Sequence, residues 1–168
     1  MNIKIIIGFV MGVLVIIVGG YGLISFTNKT PQVHTTALAR VEVLGEMSHD
    51  WGTIGIDNGV VKNTFKVKNT GSEPLQLFNM STSCMCTTAQ IRVGDKLSPT
   101  FGMHTRSSYI SQVPAGETAE IIVTFDPAFH GPSGTGPITR QILVETNDKL
   151  NPQLSFTAEA LVVSRVEN

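Results

Sequence analysis

Hydrophobic positions fall into two regimes along the chain. Residues 5–26 read IIIGFVMGVLVIIVGGYGLISF without one charged side chain. Beyond Phe26, apolar residues instead alternate with polar ones. At about 1.5 Å per residue, a helical run of this length crosses a hydrocarbon core of about 30 Å with slight tilt. Tyr21 and Phe26 lie at its far end, where aromatic rings favour the interface. Gly8, Gly12, Gly19, Gly20 and Gly22 are more than a soluble helix tolerates, but lipid-embedded helices accept them. Gly8 and Gly12 also have the small-xxx-small spacing of helix pairing, a weak motif alone that leaves the oligomeric state open. A cleavable signal peptide has a shorter apolar core and a small-residue cleavage site; none follows here, and no cysteine is placed for lipid attachment. The pattern therefore predicts an uncleaved anchor. Lys4 and the amino terminus favour the inside, against Lys29 on the other flank, so the expectation is a single pass through the plasma (inner) membrane with the globular part extracytoplasmic.

After the anchor, residues 27–39 (TNKTPQVHTTALA) show no periodicity and contain Pro31, which predicts a linker. Period-2 alternation then recurs. Val61, Phe65 and Val67 share one face, opposite Lys62, Thr64, Lys66 and Lys68. Ala119, Ile121, Val123 and Phe125 alternate with Thr118, Glu120, Ile122 and Thr124. Ile138, Ile142 and Val144 alternate around Arg140, and Leu154, Phe156, Ala158, Ala160 and Val162 form a last run. Weaker strands are expected at Val41–Leu44 and Leu75–Asn79. Turn signals separate the runs, among them Asp57-Asn58-Gly59, Asn69-Thr70-Gly71, Pro114-Ala115-Gly116 and Asn151-Pro152. The expected fold is all-β: an immunoglobulin-like Greek-key sandwich over residues 40–168, preceded by one transmembrane helix over residues 1–26, with a barrel as the competing closure.

Composition narrows the function. Twelve Lys and Arg nearly balance thirteen Asp and Glu, and no basic stripe exists, which argues against a nucleic-acid partner. Two cysteines one residue apart cannot staple a small secreted fold.

The motifs His49-Asp50-Trp51-Gly52-Thr53-Ile54, Phe65-x-Val67-x-Asn69-Thr70-Gly71, Pro74-Leu75, Ser83-Cys84-Met85-Cys86-Thr87-Thr88, Pro114-Ala115-Gly116-Glu117, Val123-x-Phe125-Asp126-Pro127 and Thr146-Asn147-Asp148 occur in this order. Together, over roughly Val41 to Val163, they resemble the bacterial family known as domain of unknown function 1573, related to PapD-like and ASH/HYDIN domains. The resemblance implies a sandwich, frequently exported behind a signal or anchor, without an assigned activity. The chain departs from the family pattern at Trp51, where Phe is usual, and at Met85, where Gly is usual. The excursion between Cys86 and Pro114 is also much longer than is usual in the family.

Cys84-Met85-Cys86 is the sharpest chemical feature. On an extended strand, Cα atoms two apart are about 6.6 Å distant, which strains a disulfide but lets two thiols grip one metal. Cys-x-Cys is a poor zinc spacing, whereas thiolates with Met and His suit copper(I). Met103 and His104 on the excursion are candidate closing ligands. His130, in a Gly/Pro-rich loop, is another; Met85 and His49 are weaker ones. Buried inert thiols are the competing reading, because cysteine and methionine commonly fill cores. His49-Asp50-Trp51-Gly52 reads as a turn entering a strand, with Asp50 bonding local backbone and Trp51 packing on the core. The loop from Gly131 to Gly136 lacks a lysine and a following helix, so it is no phosphate loop. Glu117, Asp126 and Asp148 sit beside turns without pairing as catalytic carboxylates, and Ser107 and Ser108 lack a nucleophile elbow. The leading expectation is a non-enzymatic, membrane-anchored binding or assembly module that engages another envelope protein. A copper(I)-binding or copper-transfer protein and a thiol–disulfide redox protein are the alternatives.

Overall fold

The alternating runs pair into two five-stranded sheets. The computed structural model describes residues 10–13, 32–105 and 107–164. One sheet contains, in spatial order, Val41–Leu44 (β1), Val61–Asn69 (β3), Thr118–Phe125 (β8), Thr87–Val93 (β5) and Lys96–Leu97 (β6). The other contains Ser48–Gly55 (β2), Gln153–Val163 (β10), Gly136–Thr146 (β9), Leu75–Thr82 (β4) and Ser111–Val113 (β7). This is a sandwich rather than the barrel. Among the described residues only β5–β6 and β9–β10 pair as sequence neighbours within a sheet, so most connections cross between layers. Every pairing is antiparallel except β2 with β10.

The inward faces are those the alternation marked. Ala119, Ile121 and Val123 of β8 are buried in one cluster with Ile142 and Val144 of β9 and Phe156 and Ala158 of β10, while Phe125 is buried in a second cluster with Ile54 and Val162. Phe65 stacks on Phe156 with centroids 4.7 Å apart, joining the layers; such a pair adds about 1 kcal/mol beyond its area burial. Two bulges shift the phase. In β2, the three steps from Asp50 to Thr53 match two steps on β10, from Glu159 to Leu161, and Gly52 takes φ +68° there. In β4, Phe78 to Ser81 spans two positions on β9, with Asn79 at φ 47°. The second bulge moves Met80 and Thr82 to the inside.

The chain divides into Met1–Gln32 and Val33–Asn168. In the first unit, residues 10–13 are helical. The remainder of the anchor expected over residues 5–26 lies outside the described residues, and no described helix is long and apolar enough to cross a membrane. Of the expected linker, Val33 to Ala39 belongs to the sandwich unit. Thr36 N donates to Asn147 O (3.0 Å), Leu38 O accepts from Ser72 N (2.9 Å), and Ala39 is buried. Backbone pairing, which needs no apolar periodicity, holds this stretch.

Asp148 anchors the junction. Its fully buried carboxylate accepts from Arg40 Nη1 (3.2 Å), Val41 N (3.0 Å), Leu150 N (2.9 Å) and Asn151 Nδ2 (3.0 Å). Desolvation pushes its pKa up, but the bonds from Val41, Asn151, Leu150 and Arg40 outweigh it, and the pKa falls below the ordinary value. The stability it contributes is therefore present above the unfolded-state value of about 3.9 and is lost as pH drops through the lower folded value. The surface cluster of Lys66, Arg92 and Glu120 is solvent-screened and contributes about 0–1 kcal/mol. Urea unfolding should show Asp148→Ala destabilised by about 3 kcal/mol at pH 7, because buried donors lose their acceptor. The gap to the parent should narrow in the acid window; a pH-independent gap would contradict this role.

Candidate thiol–disulfide site

The β4 bulge builds the site. With Thr82 turned inward, its Oγ1 donates within reach of Cys84 O (3.0 Å) and Thr87 O (2.8 Å), while Thr87 N donates to Cys84 O (3.1 Å). The chain between β4 and β5 is thereby a tight turn, with Cα atoms of Cys84 and Cys86 5.3 Å apart. That separation lies within disulfide range, and a disulfide joins them. The expectation of two thiols on an extended strand is corrected: the turn shortens the Cα separation that a strand would impose.

The two sulfurs face different surroundings. Cys86 is buried in a cluster with Ile54, Ile56, Phe125, Ala160 and Val162, which Trp51, Val61 and Ile138 flank. Cys84 is half-buried, and its Sγ lies 3.4 Å from His130 Nε2. A disulfide sulfur carries no hydrogen, so the hydrogen bond requires Nε2 to be the protonated nitrogen. His130 precedes the 3₁₀ turn Gly131–Gly134 and packs edge-on against the exposed Phe129. Behind this loop lies an open cavity of about 350 Å³ whose lining includes Ile56, Ala128, Pro132 and Thr135.

Arg140 completes the site. Its Nε donates to Cys86 Sγ at 3.1 Å, its Nη1 donates to Thr139 O at 3.0 Å, and its guanidinium carbon lies 5.8 Å from the Phe125 ring centroid. Burial lowers its pKa from the ordinary value, yet arginine stays charged at neutral pH. The cation–π contact of this half-buried guanidinium, about 1 kcal/mol, offsets part of that burial. The ring beneath is held in turn by Trp51, stacked on Phe125 at 5.7 Å. Cys84 Sγ, Cys86 Sγ and a His130 ring nitrogen all lie within 4.8 Å of one another.

The model of a family described as "Protein of unknown function (DUF1573)" matches residues 43–160, a span that includes Cys84, Cys86, His130 and Arg140. The chain belongs to the DUF1573 family. No curated protein matches it. Among solved structures, a protein of unknown function from Porphyromonas gingivalis W83 superposes with a TM-score of 0.56 at 20% identity, over 75% of this chain and 49% of that one. The chain thus spans about half the length of that relative, and the likeness is one of fold. The ASH/PapD-like domain of human CEP192 gives a TM-score of 0.47 at 14% identity, over 83% of this chain and 94% of that one.

Within this DUF1573 domain, only part of the expected ligand set converges. Cys84, Cys86 and His130 meet; His49 and His104 contribute no atom to the group. His49 packs edge-on against Trp51 at 5.6 Å. Met103 and His104 occupy an exposed turn closed by Gly102 N donating to Thr105 Oγ1 (2.9 Å). Met85 is exposed at the tip between the cysteines. Asp50 bonds local backbone as expected, accepting from Gly52 N (2.7 Å), although His49 to Gly52 lies inside β2. Arg140 had a signal in the pattern that sequence reasoning passed over: it is a charged residue at the inward parity of Ile138 and Ile142.

A cross-link over so few residues is a weak staple. Closing a three-residue loop removes about 1.6 kcal/mol of unfolded-chain entropy, against about 3 kcal/mol for fifteen residues. Maleimide labelling of denatured, air-purified protein should find no reactive thiol before reduction and two afterwards, counted by intact mass. Two labels without reduction would refute the bond.

Proposed function

We propose that the chain is a membrane-tethered, extracytoplasmic module that meets its partner at the disulfide end of the sandwich, by thiol–disulfide exchange. The observation that carries this reading is the Arg140 guanidinium 3.1 Å from the buried sulfur of a disulfide whose other sulfur is half-exposed. A partner thiolate attacks Cys84 Sγ and forms a mixed disulfide. The Cys84–Cys86 bond breaks, and its electron pair leaves on Cys86 Sγ as a thiolate beside the cation, which makes it the better leaving group. A second thiolate of the partner then attacks its own sulfur in the mixed disulfide. Cys84 departs as a thiolate able to accept a hydrogen bond from His130 Nε2. The partner dithiol is oxidised, this disulfide is reduced, and the two protons shed by the partner pass to Cys84 and Cys86. Exposed Met85, next in sequence to Cys84, and exposed Phe129, packed against His130, offer apolar contact to the incoming polypeptide.

Of the three readings the sequence allowed, this keeps the tethered binding module and gives its contact a chemistry. A lasting disulfide also suits an oxidising compartment outside the cytoplasm. Two measurements test the proposal. Protease added to intact spheroplasts should remove the sandwich; resistance until lysis would overturn the topology. For the full chain in detergent, reduction by dithiothreitol, followed by gel shift with a bulky maleimide, should slow about tenfold in Arg140→Gln. The variant should retain the parent's far-UV circular dichroism. Equal rates in parent and variant, or a disulfide inert to the dithiol, would overturn the exchange chemistry.

A further inference from the structure

We infer that reduction converts the same three side chains into a copper(I) site, so that the disulfide acts as its gate; physiological opening of that gate rests on the exchange reading above. The donor set is two sulfurs and one imidazole nitrogen, all within 4.8 Å of one another, with Cys84 Sγ and His130 Nε2 at 3.4 Å. For metal–ligand bonds of about 2.0–2.3 Å, donors around a three-coordinate ion lie about 3.5–4 Å apart, so once the S–S bond opens the sulfurs must part by about 2 Å, while Cys84 Sγ and His130 Nε2 already stand close to that spacing. Thiolates select soft ions.

Two features favour copper(I) over zinc. Among the described residues no carboxylate or fourth His or Cys joins the group, whereas a closed zinc site takes four protein ligands. Arg140 already places one positive charge beside Cys86. Two thiolates, that guanidinium and a monovalent ion sum to zero, while a divalent ion leaves an excess positive charge in a partly buried cluster. This site differs from the one expected on the sequence, because His130 closes it and the Met103-His104 turn does not.

The gate follows from the chemistry. In the disulfide, neither sulfur is a thiolate, and two of three donors are lost. A dithiol reductant delivers two electrons and two protons, becoming a disulfide itself and leaving two thiols here. Copper(I) then displaces the two protons and bonds to both sulfurs and to His130.

The test uses the full chain in detergent, anaerobically, opened with a phosphine reductant that is then removed. Copper(I) is supplied as its coloured bicinchoninate complex. Reduced protein should withdraw one copper(I) per chain and the disulfide form none. His130→Ala should hold the ion about tenfold more weakly, Cys84→Ser should fail to compete, and both should keep the parent's circular dichroism. X-ray absorption of the loaded protein should show two sulfurs and one nitrogen. Copper(I) left with the chelator by the reduced parent, or His130→Ala binding as tightly as the parent, overturns the site. If that happens while dithiothreitol still opens the disulfide at the Arg140-dependent rate, the copper inference falls alone. A disulfide that resists the dithiol, in a chain whose phosphine-reduced form takes copper, sinks the exchange reading instead.

Discussion

Phe125 ends β8 with Trp51 stacked on its ring and the Arg140 guanidinium over it. Without that ring, a partly buried arginine would lack the contact that compensates its lost hydration. Its Nε would then be held near Cys86 Sγ only through the Nη1 bond to Thr139 O. The ring connects three levels of the molecule: the β8 alternation that buries it, the cluster that closes this end of the sandwich, and the charge that sets the disulfide's polarity. The site's chemistry depends on this packing contact as much as on the hydrogen bonds that hold the cysteine turn.

Backbone irregularity does as much as side-chain choice. A strand that alternates without interruption cannot bury both Trp51 and Ile54, because they lie on opposite parities. The left-handed residue at Gly52 resolves this by inserting one position, and Asn79 does the same for Leu77 and Met80. Both bulges lead toward the disulfide end. One brings Trp51 and Ile54 to the same cluster, and the other turns Thr82 inward to hold the cysteine turn. Bulges at such places re-aim side chains that regular pleating would send to solvent.

The remaining edges are closed by segments with little periodicity of their own. Residues 33–39 pair backbone to backbone beside the Asp148 network. The excursion after β5 pairs through β6, buries Phe101 against Ala89, and then crosses to the other sheet as β7. It covers the free edges of β5 and β4, which would otherwise expose unpaired backbone groups.

From the sequence alone, the alternating runs at 61–68, 118–125, 138–145 and 154–162 determined an all-β sandwich and which of their side chains face inward, because period-2 burial is a local property of the chain. The cysteine pair and His130 were visible as candidate residues for the same reason: their chemistry is written in their identity. Of β2 only the entry was legible, read as a turn at His49–Gly52 that the structure places inside the strand, since a glycine bulge breaks its alternation; β5, β6 and β7 were not legible, being short or polar. Nor could spacing show that the cysteines bond to each other, that Met103 and His104 turn aside, or that Arg140 reaches Cys86 across 54 positions. Those outcomes depend on the phase of two bulges and on which strands become neighbours. Only the packed tertiary structure decides them, because each is a contact between residues whose local sequence carries no record of the other.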